Sequence, residues 1–416
     1  MGTSSTDRRI LRDLAGRLAE TAADPIQQAK LDAWKRHNSL TPGRPLIIQA
    51  PEGVWWEFIP ADSLKCEDAF CRNVELDIRY KLYHAEHFRD DAPITANFDC
   101  PLYVDETDWG IEVDATTPEH APPLGAMHFN TVIEDDADVE TLIKDRRITV
   151  NWGRSQADCD RTADLVGDIL NVRIRRSAGL ALAPMDTFGG WRGYQQIMMD
   201  MIERPQWIHR ALQRITDVII DMARQLEAAG ALSLNNDDIR VGSGGFGTTD
   251  ELPADDFDGE HVRLKDLWGF ATTQIFSEVS PAMHDEFAIQ YEAQFLELFG
   301  LNAYGCCEPL HKKIHLVRKL PRVRQVSMSP WIEPNEGAEQ IGRDFIFSYR
   351  PNPALLSGGL WDIDACRREM IAVFEAAKRN GCVLDMVLKD THTCRGEPNR
   401  YDEWTDAAMQ LAEQYA

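Results

Sequence analysis

The last third of the chain switches repeatedly between two hydrophobic periods, and this alternation limits the folds open to it. L-N-A-Y-G (301–305), R-Q-V-S-M-S (324–329), F-I-F-S-Y (345–349) and C-V-L-D-M-V-L-K (382–389) read as strands. A helix-like run follows each of them: Leu310–Leu320, Glu336–Gly342, Asp362–Asn380 and Asp402–Tyr415, the third stopped by Gly381. Four strands, each followed by a helix through short links, build a parallel α/β sheet. More strand–helix alternation lies upstream, so the expected class is α/β and the expected architecture a (β/α)8 barrel. No glycine-rich dinucleotide fingerprint follows the first strand, which removes support for a nucleotide-binding doubly wound sheet.

The first ninety residues read differently. Arg8–Ala22 carries a stripe of Ile10, Leu11, Leu14 and Leu18, and Asp24-Pro25 starts a second helix reaching about His37. Pro45–Gln49 is a short strand, and Glu67–Phe88 is helical up to Asp90-Asp91. Residues 1–90 are therefore expected as an N-terminal helical extension packed on the barrel, and 91–416 as the barrel itself. The Pro-, Gly- and acid-rich stretch around 99–151 reads as a long loop or cap insertion. Gly193–Gly230 reads as two helices, and Ile239–Gly247 as a strand running into a glycine-rich loop.

Composition excludes several classes of function. A net charge of −24 repels nucleic acid. No apolar run approaches the roughly 18 residues of a membrane span. The N-terminus lacks the apolar core of a signal peptide, though Gly2 and Thr6 fit the loose myristoylation pattern. Nine cysteines without framework spacing, in a chain this long, indicate free thiols in a reducing cytoplasm. A homo-oligomer is compatible with all of this.

In a barrel the chemistry sits at the C-terminal ends of the strands. The strand ends here are rich in polar and metal-liking residues: Asn97–Cys100, Met185-Asp186-Thr187, Gly242–Gly247, Tyr304–Glu308, Ser329–Trp331, Tyr349-Arg350 and Lys389–Cys394. Two of these ends answer each other. Cys306, Cys307 and Glu308 stand at one, His392 and Cys394 at another. Thiolate, imidazole and carboxylate are the ligand set of zinc, and three protein ligands with an open fourth position make a catalytic site. The plain alternative is that one or both adjacent cysteines are core thiols, since neighbours along a strand face opposite ways. Gly244 and Gly245 would let a substrate approach the backbone closely, or else belong to a surface loop. Lys389-Asp390 is an acid/base pair or an ion pair. Trp331 and other loop tryptophans line an aromatic pocket or fill core.

At these residues the chain resembles a known family. Y-G-C-C-E-P-L (304–310), L-K-D-T-H-T (388–393), E-P-N-R-Y-D-E-W (397–404), the run L-S-L-N-N-D-D-I-R-V-G-S-G-G-F-G-T-T-D-E-L-P (232–253) and L-K-C-E-D-A-F (64–70) are similar to the uroporphyrinogen decarboxylase superfamily. Within it they resemble the zinc- and corrinoid-dependent methyltransferases. The resemblance implies a barrel with extra N-terminal helices. It also implies transfer of a methyl group from a small methylated substrate, such as an aryl methyl ether, to cobalt on a separate corrinoid protein. In relatives of this type zinc is held by a His-x-Cys pair and a later cysteine. Here the pair position reads Tyr304-Gly305-Cys306, so the missing role passes to Cys307, Glu308 or another strand. The later position falls near 390–392, which puts His392 first and Cys394 next.

The expected metal ligands are thus Cys306, Cys307, Glu308 and His392. Asp390 and Asp99 are the expected catalytic carboxylates, and Trp331, Gly244 and Gly245 the expected substrate contacts. The rival readings are a cofactor-free decarboxylase on the same barrel and a non-catalytic corrinoid- or metal-binding accessory protein. The decarboxylase reading lacks the arginine-rich R-Q-A-G-R-Y stretch that grips acidic side chains in that branch.

Overall fold

The computed structural model describes residues 4–118 and 127–416. Gly2 of the myristoylation pattern and residues 119–126 of the expected cap lie outside the described residues.

Nine strands organise the fold: β1 (Leu46–Gln49), β2 (Asn97–Pro101), β3 (Asn171–Arg175), β4 (Ala181–Leu182), β5 (Trp268–Ala271), β6 (Leu301–Tyr304), β7 (Val323–Met328), β8 (Ile346–Tyr349) and β9 (Val383–Leu388). Seven of them form one sheet in the order β1-β9-β8-β7-β6-β5-β4, and every ladder in it is parallel. β2 and β3 form a separate parallel pair. The four strands read from the last third of the sequence are neighbours, in sequence order, from β6 to β9. β1, inside the first ninety residues, pairs with β9, so the sheet crosses the boundary expected at residue 90.

β1 is an edge of this sheet, and its outward N–H groups are not left to water. Ile47 N donates to Asp91 Oδ2 at 2.8 Å and Gln49 N to Asp90 Oδ2 at 2.7 Å. Arg44 fixes Asp91, and His84 fixes Asp90. Carboxylates that occupy an edge in this way remove the template for pairing with another strand.

The two faces of the sheet differ in chemistry because side chains alternate along a strand. Val326, Met328, Phe347, Tyr349, Leu384, Met386 and Leu388 point into the main core with the helices Pro334–Ile341, Ile363–Asn380 and Asn399–Gln414. The intervening residues Gln325, Ser327, Ser348 and Asp385 are polar and also buried. Register aligns three of them in one row, with Ser327 opposite Ser348 and Ser348 opposite Asp385. The inner face is thus a buried polar layer below the strand ends.

Two local expectations give way. Ile239–Gly247 forms a tight turn with a single bridge, Arg240 to Phe246, rather than a strand. Gly242 at φ 53° turns the chain there. β5 has no counterpart in the sequence reading, because its short W-G-F-A run shows no alternation. The helix expected over Leu310–Leu320 is only Ile314–Val317. Around 99–151 the chain makes an excursion with short antiparallel ladders, Val104–Glu106 with Ile148–Val150 and Ala115–Thr116 with His128–Phe129.

Candidate active site at the strand ends

Four consecutive strands deliver side chains to one spot. Beyond β6 the chain turns at Gly305, φ 87°, and presents Cys306 and Cys307. Trp331 follows β7, Arg350 follows β8, and Lys389 and Asp390 follow β9. They line one cavity of about 240 Å³. Pro330, Pro351 and Pro353 form its apolar wall. A larger hollow of about 310 Å³ opens at the other ends of the strands, beside Arg36, Arg44 and Asp91, but no cysteine lines it. The reactive groups, not the size of the hollow, mark the site.

The two thiols are close and unequal. Their sulfurs are 3.6 Å apart. Ser243 Oγ donates to Cys306 Sγ at 3.4 Å. The Cys306 thiol is pulled down to about 6, first by the hydrogen bond from Cys307, then, against the cost of burial, by the charge of Lys389 and the Ser243 hydroxyl. Cys307 moves upward for the complementary reason. The contact between them favours the charged form of Cys306 and the neutral form of Cys307.

The polar layer supports this arrangement from below. Arg350, 3% exposed, donates to Ser348 Oγ at 2.9 Å, to Ser327 Oγ at 2.8 Å and to Ser243 Oγ at 3.4 Å. Asp385 balances it at 3.9 Å and itself holds His37 at 2.9 Å, Gln325 at 3.2 Å and Ser348. Burial pushes the Asp385 carboxyl up, but His37 and Arg350 outweigh it and hold it below its usual range. Above, Lys389 pairs with Asp390 at 2.8 Å. Asp390 adopts φ 59°, a left-handed conformation that Asp tolerates better than most residues.

Not every expected residue arrives. Glu308 is fully buried and its carboxylate is already occupied: Thr272 Oγ1 donates at 2.8 Å, Cys306 N at 2.9 Å and Thr273 N at 3.3 Å. It braces the turn that presents the thiols. His392 is exposed and lies against Gly53, where a Cβ would meet its Nδ1 at 2.1 Å. Cys394 is buried and donates to Glu57 at 2.9 Å. Asp99 sits on β2 in an ion-pair cluster with Arg173 at 2.7 Å and Arg175 at 3.1 Å. Gly244 and Gly245 pack inward: a Cβ would meet Gln325 Oε1 at 2.0 Å and Trp34 at 2.3 Å. Close packing accounts for both glycines, Gly244 on the polar layer and Gly245 on Trp34, and that packing seats Ser243 beside Cys306.

Zinc can be tested against this geometry. Zn–S bonds of about 2.3 Å separate two thiolate corners of a tetrahedron by about 3.8 Å, close to the observed sulfur spacing. Glu308 accepts from the backbone N–H of Cys306, His392 lies against Gly53, and Asp390 Oδ2 is 4.0 Å from Cys307 Sγ. Among the described residues no group of three or more His, Cys, Asp or Glu side chains is assembled to hold a metal ion. The four expected ligands do not form a set here.

Sequence reading missed a second polar cluster, just behind Glu308. Glu292 accepts from Thr273 Oγ1 at 2.7 Å and Tyr304 Oη at 2.8 Å, and Asp186 accepts from the Gln274 and Ile275 amides. Burial pushes Glu292 up to about 8 and Asp186 up to about 7. Asp186 had been read as a strand-end residue. Glu292 lies inside an apolar helical run, and its acid among Phe287, Tyr291 and Phe295 was the available signal.

No family model matches the chain, and no match was found among curated proteins. Among solved structures the chain is similar to a methyltransferase from Methanosarcina mazei, with TM-score 0.50 and 10% identity over 91% of this chain and 97% of that one. At that identity the likeness shows a shared fold. No helix among the described residues is long and apolar enough to cross a membrane.

Proposed function

We propose that this chain is a methyltransferase that works at the Cys306–Cys307 pair. The single observation that carries the reading is the thiol pair at the strand ends, opening into a cavity walled by Trp331 and three prolines. The fold shared with a methyltransferase supports it. The finer reading is a (β/α)8 barrel that moves a methyl group from a small methylated substrate, such as an aryl methyl ether, to the cobalt of a corrinoid protein.

The chain's own residues have defined tasks in this proposal. Trp331 and the prolines hold the apolar body of the substrate and keep water from it. Lys389, Arg350 and Ser243 fix the charge at Cys306. Asp390 Oδ2 lies 4.0 Å from Cys307 Sγ. A zinc site on Cys306 and Cys307 would need further protein ligands. Glu308 or His392 would complete such a site only by leaving the positions described above.

The test is methyl transfer from a panel of methyl ethers and methylamines to Co(I) cobalamin, followed by the cobalt absorbance, with elemental analysis of the same protein. Methylcobalamin formation that is lost in Cys306→Ser supports the reading. Full activity in Cys306→Ser and Cys307→Ser would sink it. About one zinc per chain, lost in both variants, supports the metal-assisted form.

A further inference from the structure

The thiol pair has room and geometry for a ligand other than a four-coordinate metal. We propose that Cys306 and Cys307 form a dithiol clamp for trivalent organoarsenicals, with the organic group seated in the cavity under Trp331. This inference goes beyond methyl transfer and does not rest on it.

Three observations converge. The sulfurs stand 3.6 Å apart on adjacent residues, Cys307 is exposed and Cys306 partly so, and both line the cavity. Trivalent arsenic carrying one organic substituent is a three-coordinate pyramid. It needs two sulfurs and one apolar neighbour, with no third protein ligand. The site offers that arrangement: the carboxylate next in sequence, Glu308, is saturated by its own donors, and the wall next to the sulfurs is Pro330, Trp331, Pro351, Pro353 and Ala354. Soft thiolates select soft elements over hard ones. Tetrahedral zinc asks for more ligands than this pair supplies.

The chemistry balances without an oxidant. An arsonous acid R–As(OH)2 loses its two As–O bonds and gains two As–S bonds, one to each cysteine. The two thiol protons leave with the hydroxyls as two waters, and arsenic stays trivalent throughout. The other cysteines are less open: Cys66, Cys71, Cys366 and Cys394 are buried, as are the neighbouring Cys100 and Cys159, and Cys382 packs against Ala338 O.

The experiment uses phenylarsine oxide on the whole purified protein, with and without prior chelation, and reads intact mass and peptide mapping. The expected result is a single adduct, the mass of the reagent less one water, on the peptide holding Cys306 and Cys307. It is lost in Cys306→Ser and in Cys307→Ser and reversed by excess dimercaptopropanol. Iodoacetamide mapping runs alongside as the accessibility control, and melting curves confirm that each variant folds. An adduct that survives in either single variant overturns the proposal. So does the absence of an adduct on the parent, whether or not iodoacetamide labels the two thiols. Arsenical binding without methyl transfer would leave this inference standing and remove the function proposed above.

Discussion

Ser243 Oγ donates to Cys306 Sγ at 3.4 Å, although the two residues come from a glycine-rich turn and a strand end 63 residues apart. Arg350 Nε donates to the same hydroxyl, so its proton is directed at the sulfur. Ser243→Ala removes one donor to the thiolate. A hydrogen bond of this kind contributes about 1 kcal/mol, so the midpoint of Cys306 alkylation against pH is expected to rise by up to about one pH unit. Iodoacetamide rates resolved by peptide mapping check this; an unmoved midpoint removes Ser243 from the site.

Trp331 is 69% exposed beside the cavity, an unusual place for an indole with only a structural task. Trp331→Ala is expected to change the unfolding free energy by no more than about 0.5 kcal/mol. Substrate or arsenical affinity is expected to fall roughly tenfold, the loss of one aromatic contact. Denaturant titration and a binding isotherm on the same variant separate the two effects.

Asp385 is the counter-charge of the buried Arg350 and the acceptor for His37, Gln325 and Ser348. Asp385→Ala leaves that guanidinium without its carboxylate. The expected cost is about 3–5 kcal/mol, the range for breaking a buried pair from one side. Urea unfolding of parent and variant measures it, and a loss below about 1 kcal/mol would contradict the role given to Asp385.

Glu292 makes folding pH-dependent in a definite direction. Its carboxyl is raised from an ordinary 4.5 to about 8 in the folded chain, so the native state binds that proton more tightly than the unfolded chain does. Its contribution is therefore most favourable below about pH 4.5 and declines as pH rises toward about 8. Asp186, raised to about 7, acts in the same sense. Glu292→Gln is expected to flatten the fall in melting temperature between about pH 5 and pH 8. A variant profile parallel to the parent's would assign the pH dependence elsewhere.

Strand–helix alternation from Leu301 onward was legible because each element there carries its own period and stop signal, Gly381 among them. The parallel ladder from β6 to β9 follows from it. The thiol pair, Trp331, Arg350 and Lys389-Asp390 were legible as strand-end residues for the same reason. Even the polar layer left a trace: Gln325 and Ser327 alternate with Val326 and Met328, and Asp385 interrupts an otherwise apolar strand.

Tertiary structure decided the rest. Which of Cys306, Cys307, Glu308 and His392 could act together depended on where each side chain turned. Glu308 turned inward because three donors from its own turn and the β5 end took its oxygens, and His392 settled on Gly53. Ser243 gained its place because Gly244 has no Cβ to hold the loop away from Gln325. The sequence determined the order of strands and helices, since hydrophobic period is local. The partners of each polar group depend on register and close packing between segments far apart in the chain, and neither is written in any one segment.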